Sequence, residues 1–217
     1  MIIFVVGTGT DVGKTHVTAA LVMAAREDGR PFDAWKPIAS GTSDRMGDDA
    51  RAIGARMPPL YAFEPPISPH LAARRAGITV QADSVAKQAK LILGDDAIIE
   101  SAGGLFSPIS DTETNLDLAR ELEKELRPHR FGMLLVAPDR IGVLHDITAT
   151  VRAAKILPVL ALSAPATADA STGTNAEEIR RLGLAAHVIE FPRAAPAASL
   201  EPARRCLEAL TRAHSPT

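Results

Sequence analysis

Apolar residues cluster in six short runs, at 2–6, 32–35, 97–100, 132–137, 159–162 and 187–191. Runs of this length between turn-forming residues predict buried strands. Between them, apolar positions fall at helical spacing, as at Val17, Ala20, Leu21 and Ala24, the stripe of a helix packed on a sheet. That spacing predicts helices over 14–28, 49–57, 68–75, 82–93, 116–126, 142–156, 176–182 and 202–213. Strands alternating with helices predict an α/β fold, a mostly parallel sheet with helices on both faces. Ligands of such open sheets sit beyond the carboxyl ends of the strands. The loop after the first strand, Lys36, Glu100 and Ser163 all fall there. The Ala- and Pro-rich stretch 192–202 is expected to be a loop.

With 217 residues, 46% hydrophobic and 23% charged, the chain suffices for one sizeable core. A single domain over 1–217 is expected. The net charge of −2 gives no electrostatic case for nucleic acid or an anionic membrane as partner. The single cysteine, Cys206, excludes an internal disulfide and fits a reducing compartment. The first apolar run is too short for a signal peptide or a membrane span, and no basic segment precedes it. A cytoplasmic protein is expected.

The stretch Gly7-Thr8-Gly9-Thr10-Asp11-Val12-Gly13-Lys14-Thr15 lies between a predicted strand and a predicted helix. That context supports a phosphate-binding loop. Glycines let the backbone curl so that N–H groups converge on an anion, and the helix N-terminus adds its field. Gly9, Thr10, Asp11, Val12, Gly13, Lys14 and Thr15 are therefore the expected nucleotide-binding residues. Lys14 would reach the terminal phosphates, and the Thr15 hydroxyl would ligate Mg²⁺. The spacing departs from the usual loop, because Thr8 stands where the first glycine is expected.

Lys36 closes the second strand ahead of Pro37, with Ser40-Gly41 close behind. A second ammonium beside the loop would stabilise charge on a transferring phosphoryl group. Glu100 ends an apolar strand and is a candidate Mg²⁺ anchor. After it, Gly103 and Gly104 let backbone approach a ligand closely. Asp49, or the adjacent Asp48, either ligates the metal or caps the following helix. Asp11, an anion in a loop built for anions, suits a substrate amine better than phosphate. Ser68-Pro69-His70 has the form of a helix start. His16, His129, His145, His187 and His214 show no metal-ligand spacing.

The displaced glycine resembles the dethiobiotin synthetase loop, Gly-Thr-Asp-Thr-x-Val-Gly-Lys-Thr. Three further motifs of that family follow in order: Lys36-Pro37-Ile38-Ala39-Ser40-Gly41, Ser68-Pro69-His70 and Glu100-Ser101-Ala102-Gly103-Gly104. The resemblance is good over 1–160 and weak over the last quarter. It implies a phosphate-loop NTPase-like fold and ATP- and Mg²⁺-dependent carboxylation and ring closure of diaminopelargonate with CO₂ (or bicarbonate as its source). It also implies a homodimer, for which Val143, Ile147, Val151 and Ile156 offer an apolar face. Lys14 and Lys36 take the catalytic positions, and Thr15, Asp49 and Glu100 the metal positions. Asp11, Lys36, Ser40 and Gly103 would face substrate, while Glu190-Phe191-Pro192 resembles a family segment near the base. The family usually carries an Asn after the fifth strand to read adenine; here Ser163-Ala164 stand there, which leaves other nucleoside triphosphates open. The alternative is a nucleotide-switch ATPase of the partitioning class. Those loops carry an early lysine, and none precedes Lys14 in this chain.

Overall fold

The computed structural model describes residues 1–212; the expected helix end at Ala213 and His214 lie outside the described residues. At its centre is β1 (Ile2–Gly7), with all six residues buried. It pairs on one side with β5 (Ala97–Gly104) and on the other with β6 (Phe131–Pro138). β2 (Asp33–Trp35), β7 (Val159–Ser163) and β8 (His187–Phe191) extend the sheet to the order β2-β5-β1-β6-β7-β8. Every pairing is parallel. All six expected strands form this one sheet.

Strand alternation divides the core in two. Ile3, Val5, Ala34 and Ile98 face α1 (Lys14–Glu27), α2 (Asp48–Ala52) and α8 (Leu200–Arg212). Ile2, Phe4, Val6, Trp35 and Ile99 face the other side. There they meet α3 (Pro69–Arg75), α4 (Ala82–Ile92), α5 (Asn115–Glu125), α6 (Val143–Ala154) and α7 (Asn175–Arg181). Parity along the strands therefore puts Lys36 and Glu100 on the α1 side, level with Ala34 and Ile98. Among the described residues, no helix is long and apolar enough to cross a membrane.

Three local expectations are corrected. A second, two-stranded parallel sheet pairs β3 (Ile38–Ser40) with β4 (Tyr61–Phe63); strands of three residues carry too little periodicity to be recognised. α2 ends before Ile53 and Gly54, where Gly54 turns to φ +72°, rather than running to Met57. The stretch 192–202 is not all loop, because a 3₁₀ turn, Pro196–Ser199, leads into α8 at Leu200. Pro202 is tolerated there, since a helix's first turn needs no N–H from it. The apolar face expected to pair subunits is otherwise engaged: Val143, Ile147 and Val151 lie buried in the chain's own core, and Ile156 packs against it.

Candidate active site

Beyond β1 the chain turns through residues 8–12 into α1. Asp11 (φ +56°) and Gly13 (φ +98°) adopt left-handed backbone there, the conformation that turns successive N–H groups to one side. Gly13 is doubly constrained, because a Cβ would also lie 2.5 Å from Ser163 Oγ. The end of β7 thus packs directly beneath the loop. Lys14 Nζ folds back and donates to the Gly9 carbonyl at 3.0 Å. Burial pushes the Lys14 ammonium below the ordinary lysine range, Lys36 adds to this, and Glu100 works against it. An anionic phosphate would relieve that cation.

Glu100 is fully buried and gathers the neighbouring groups. Its Oε1 accepts from Thr15 Oγ1 at 2.9 Å and from Lys36 Nζ at 2.7 Å. Lys36 Nζ also donates to Asp49 Oδ2. Burial opposes the charge on Lys36, yet the two carboxylates outweigh it and raise its pKa. Burial likewise works against the charge on Asp49, and Lys36 and Thr15 overcome it, holding the carboxyl below its ordinary value. Asp48 turns away, bonding Arg51 at 3.2 Å, so Asp49 is the acid that the first turn of α2 aims into the site.

The donor set suits magnesium. Glu100 Oε2 is buried with no hydrogen-bond partner, and one hydroxyl and two carboxylates are hard oxygen ligands. Among the described residues no group of three or more His, Cys, Asp or Glu could hold a metal. Such a sparse set fits an ion that keeps several waters and binds substrate phosphates.

Lys14, Thr15, Lys36 and Asp49 lie along a cavity of about 790 Å³, with Glu100 buried behind them. The phosphate loop, Lys36 and Asp49 line one part of it. Ser40, the 66–69 segment with Ser68 and Pro69, and Ala102, Gly103, Ser107 and Pro108 line the rest. Thr10 and Asp11 also reach it. Lining positions that carry no sequence motif, such as Ile67, Ser107 and Pro108, come from loops whose shape only the fold determines.

A family model described as an AAA domain matches residues 2–192. The ATP-dependent dethiobiotin synthetase of Rhodopirellula baltica is 38% identical over 201 residues, covering 82% of this chain and 78% of that protein. That of Caulobacter vibrioides is 40% identical over 164 residues, or 68% and 71% of the two chains. The chain belongs to the ATP-dependent dethiobiotin synthetase family. A ParA family ATPase from Chlorobium tepidum shares the fold, with a TM-score of 0.55 and 12% identity over 97% of this chain and 94% of that one.

The base-end residues lie beside the cavity, joined to it through His16, which lines it. Glu190 shares the α7 side of β8 with Val188, and it pairs with Arg180 at 3.2 Å. Neither Glu190 nor Pro192 lines the cavity. Pro192 instead offers its carbonyl to His16, whose ring lies 3.2 Å from Ser199 Oγ. Burial chiefly lowers the His16 pKa. His16 thereby joins the first turn of α1 to the segment after β8, and no motif in the sequence marks it for that.

Proposed function

We propose that this protein catalyses the ATP-dependent carboxylation and ring closure of diaminopelargonate to dethiobiotin in biotin synthesis. The observation that carries the reading is the convergence of Lys14, Lys36, Thr15 and Asp49 along one wall of a cavity, with Glu100 buried behind Thr15 and Lys36. The rest of that cavity has room for a second, nonphosphate substrate. The family membership supports the same reading.

CO₂ adds to one amine of the vicinal pair and gives a carbamate. The carbamate oxygen attacks the γ-phosphorus of ATP, forming a carbamic-phosphoric anhydride and releasing ADP. The neighbouring amine then attacks the activated carbonyl, closes the cyclic urea and expels phosphate. Lys14 and Lys36 supply positive charge where the phosphoryl oxygens gather it. Asp11 accepts a hydrogen bond from a substrate amine, while Ser40 and Gly103 border the diamine. Thr15, Asp49 and Glu100 would hold Mg²⁺, which neutralises the terminal phosphates when bound. These residues work mainly by positioning, which suits a site with no dyad poised for strong-base catalysis. We also infer a homodimer, since two-fold dimers are the commonest closed assembly.

The test is direct. Incubation with Mg-ATP, bicarbonate and diaminopelargonate should yield dethiobiotin by mass, with one phosphate released per product. Phosphate release that ignores the diamine, with no dethiobiotin, would favour the nucleotide-switch reading instead.

A further inference from the structure

β5 leaves the register of β1 where the site begins. Val5 pairs with Glu100, and Gly7 pairs with Gly104. A step of two residues on β1 therefore matches a step of four on β5. The extra residues bulge out, and Ala102 and Gly103 line the cavity as a result. Gly103 sits at φ +80°, where a Cβ would also meet Ser107 Oγ at 2.7 Å. A bulge of this kind leaves backbone groups without ladder partners.

One carbonyl of the bulge, Gly104, accepts from the Ser107 N–H at 3.0 Å, and Asn115, the first residue of α5, reaches it and a second. Its Nδ2 donates to the Ala102 carbonyl at 2.7 Å and to the Gly104 carbonyl at 2.8 Å. The side chain is fully buried, and its Oδ1 has no hydrogen-bond partner. The opposite amide orientation would set that oxygen against two others. The helix does not need this amide for its own cap. Thr114 and Asp117 already form a reciprocal capping box, with Thr114 N–H donating to Asp117 Oδ2 at 2.8 Å. Both Asn115 donors go to the bulge.

We propose that Asn115 is a positioning residue that holds the 101–104 bulge in the shape forming the diamine end of the cavity. The proposal rests on the dethiobiotin synthetase reading above. Asn115 acts through the Ala102 and Gly104 carbonyls on either side of Gly103, and it makes no direct bond to the phosphate loop, against which Gly104 packs at Thr8 and Gly9.

Asn115→Leu and Asn115→Ser both remove the paired amide donors, one keeping the bulk and the other leaving a single, shorter hydroxyl. Each should raise KM for diaminopelargonate about ten-fold while KM for ATP stays within about two-fold. Amide hydrogen exchange over 101–107 should quicken about ten-fold, with the body of α5 and the rest of the sheet unchanged. Equal rises in both KM values, no change in either, or faster exchange across the whole chain would overturn the proposal. Should the leucine variant fail to fold, the serine variant decides. A wild-type protein that makes no dethiobiotin would overturn the reaction reading. The exchange measurement would still show whether Asn115 holds the bulge.

Discussion

Lys36 lies between two carboxylates, and one of them, Glu100, has no exposed surface. Removing one partner of a buried ion pair leaves the other charge stranded, at about 3–5 kcal/mol. Glu100→Ala should therefore destabilise the free protein by roughly that amount. Glu100→Gln keeps an acceptor for Lys36 and Thr15 and should lose much less. Both variants, and Lys14→Ala, should abolish phosphate release in a single turnover while circular dichroism stays that of the parent for Lys14→Ala and Glu100→Gln. Urea midpoints separate the two effects. Equal midpoints for the alanine and glutamine variants would show that Lys36 is not stranded by loss of Glu100, and near-parental phosphate release in any of the three would show that these residues do not form the phosphoryl site.

At the scale of elements, the carboxyl ends of β7 and β8 meet the start of α1, where the reading proposed above would put the nucleoside. Ser163 packs beneath Gly13, and the Ala164 N–H is taken by the Phe191 carbonyl at 2.9 Å. Among the described residues, Ser163 and Ala164 at that point carry no side-chain amide that could read adenine. A base mismatched to a buried polar group costs about 1–3 kcal/mol, and with no such group the penalty largely vanishes. We expect kcat/KM for ATP, GTP and CTP to fall within about ten-fold of one another, equivalent to roughly 1.4 kcal/mol. A preference for ATP above about a hundred-fold, or roughly 2.7 kcal/mol, would mean that other groups read the base. The sheet and the α1 side of the site were legible because long apolar runs and a Gly-Lys-Thr loop carry strong local signals. Glu190 was legible as a strand-end acid, but its face was not; β8 parity sends it to Arg180. Asn115 had a visible cue, the Thr114-to-Asp117 capping pattern, which marks a helix start one residue before the expected 116. Its two bonds depend on a bulge between distant strands, and nothing local in the sequence encodes that register.

For the whole molecule, the open question of assembly turns on which apolar surface remains. The inward face of α6 is consumed by the chain's own core, so it cannot also pair subunits. Two large side chains at the carboxyl edge of the sheet stay exposed: Ile141, 72% accessible at the start of α6, and Phe106, 42% accessible just after β5. Both belong to connections at the same edge as the cavity. A stable two-fold interface buries about 1,200–2,000 Å² in total, and apolar anchors near its centre carry most of its energy. A homodimer using this edge would set each site close to its partner subunit. Light scattering at micromolar concentration should then give twice the 22.9 kDa chain mass. Ile141→Asp, which puts a charge into the contact, should give the single-chain mass and a raised KM for diaminopelargonate. A wild-type protein that scatters as 22.9 kDa and remains fully active would show that one chain is a complete enzyme.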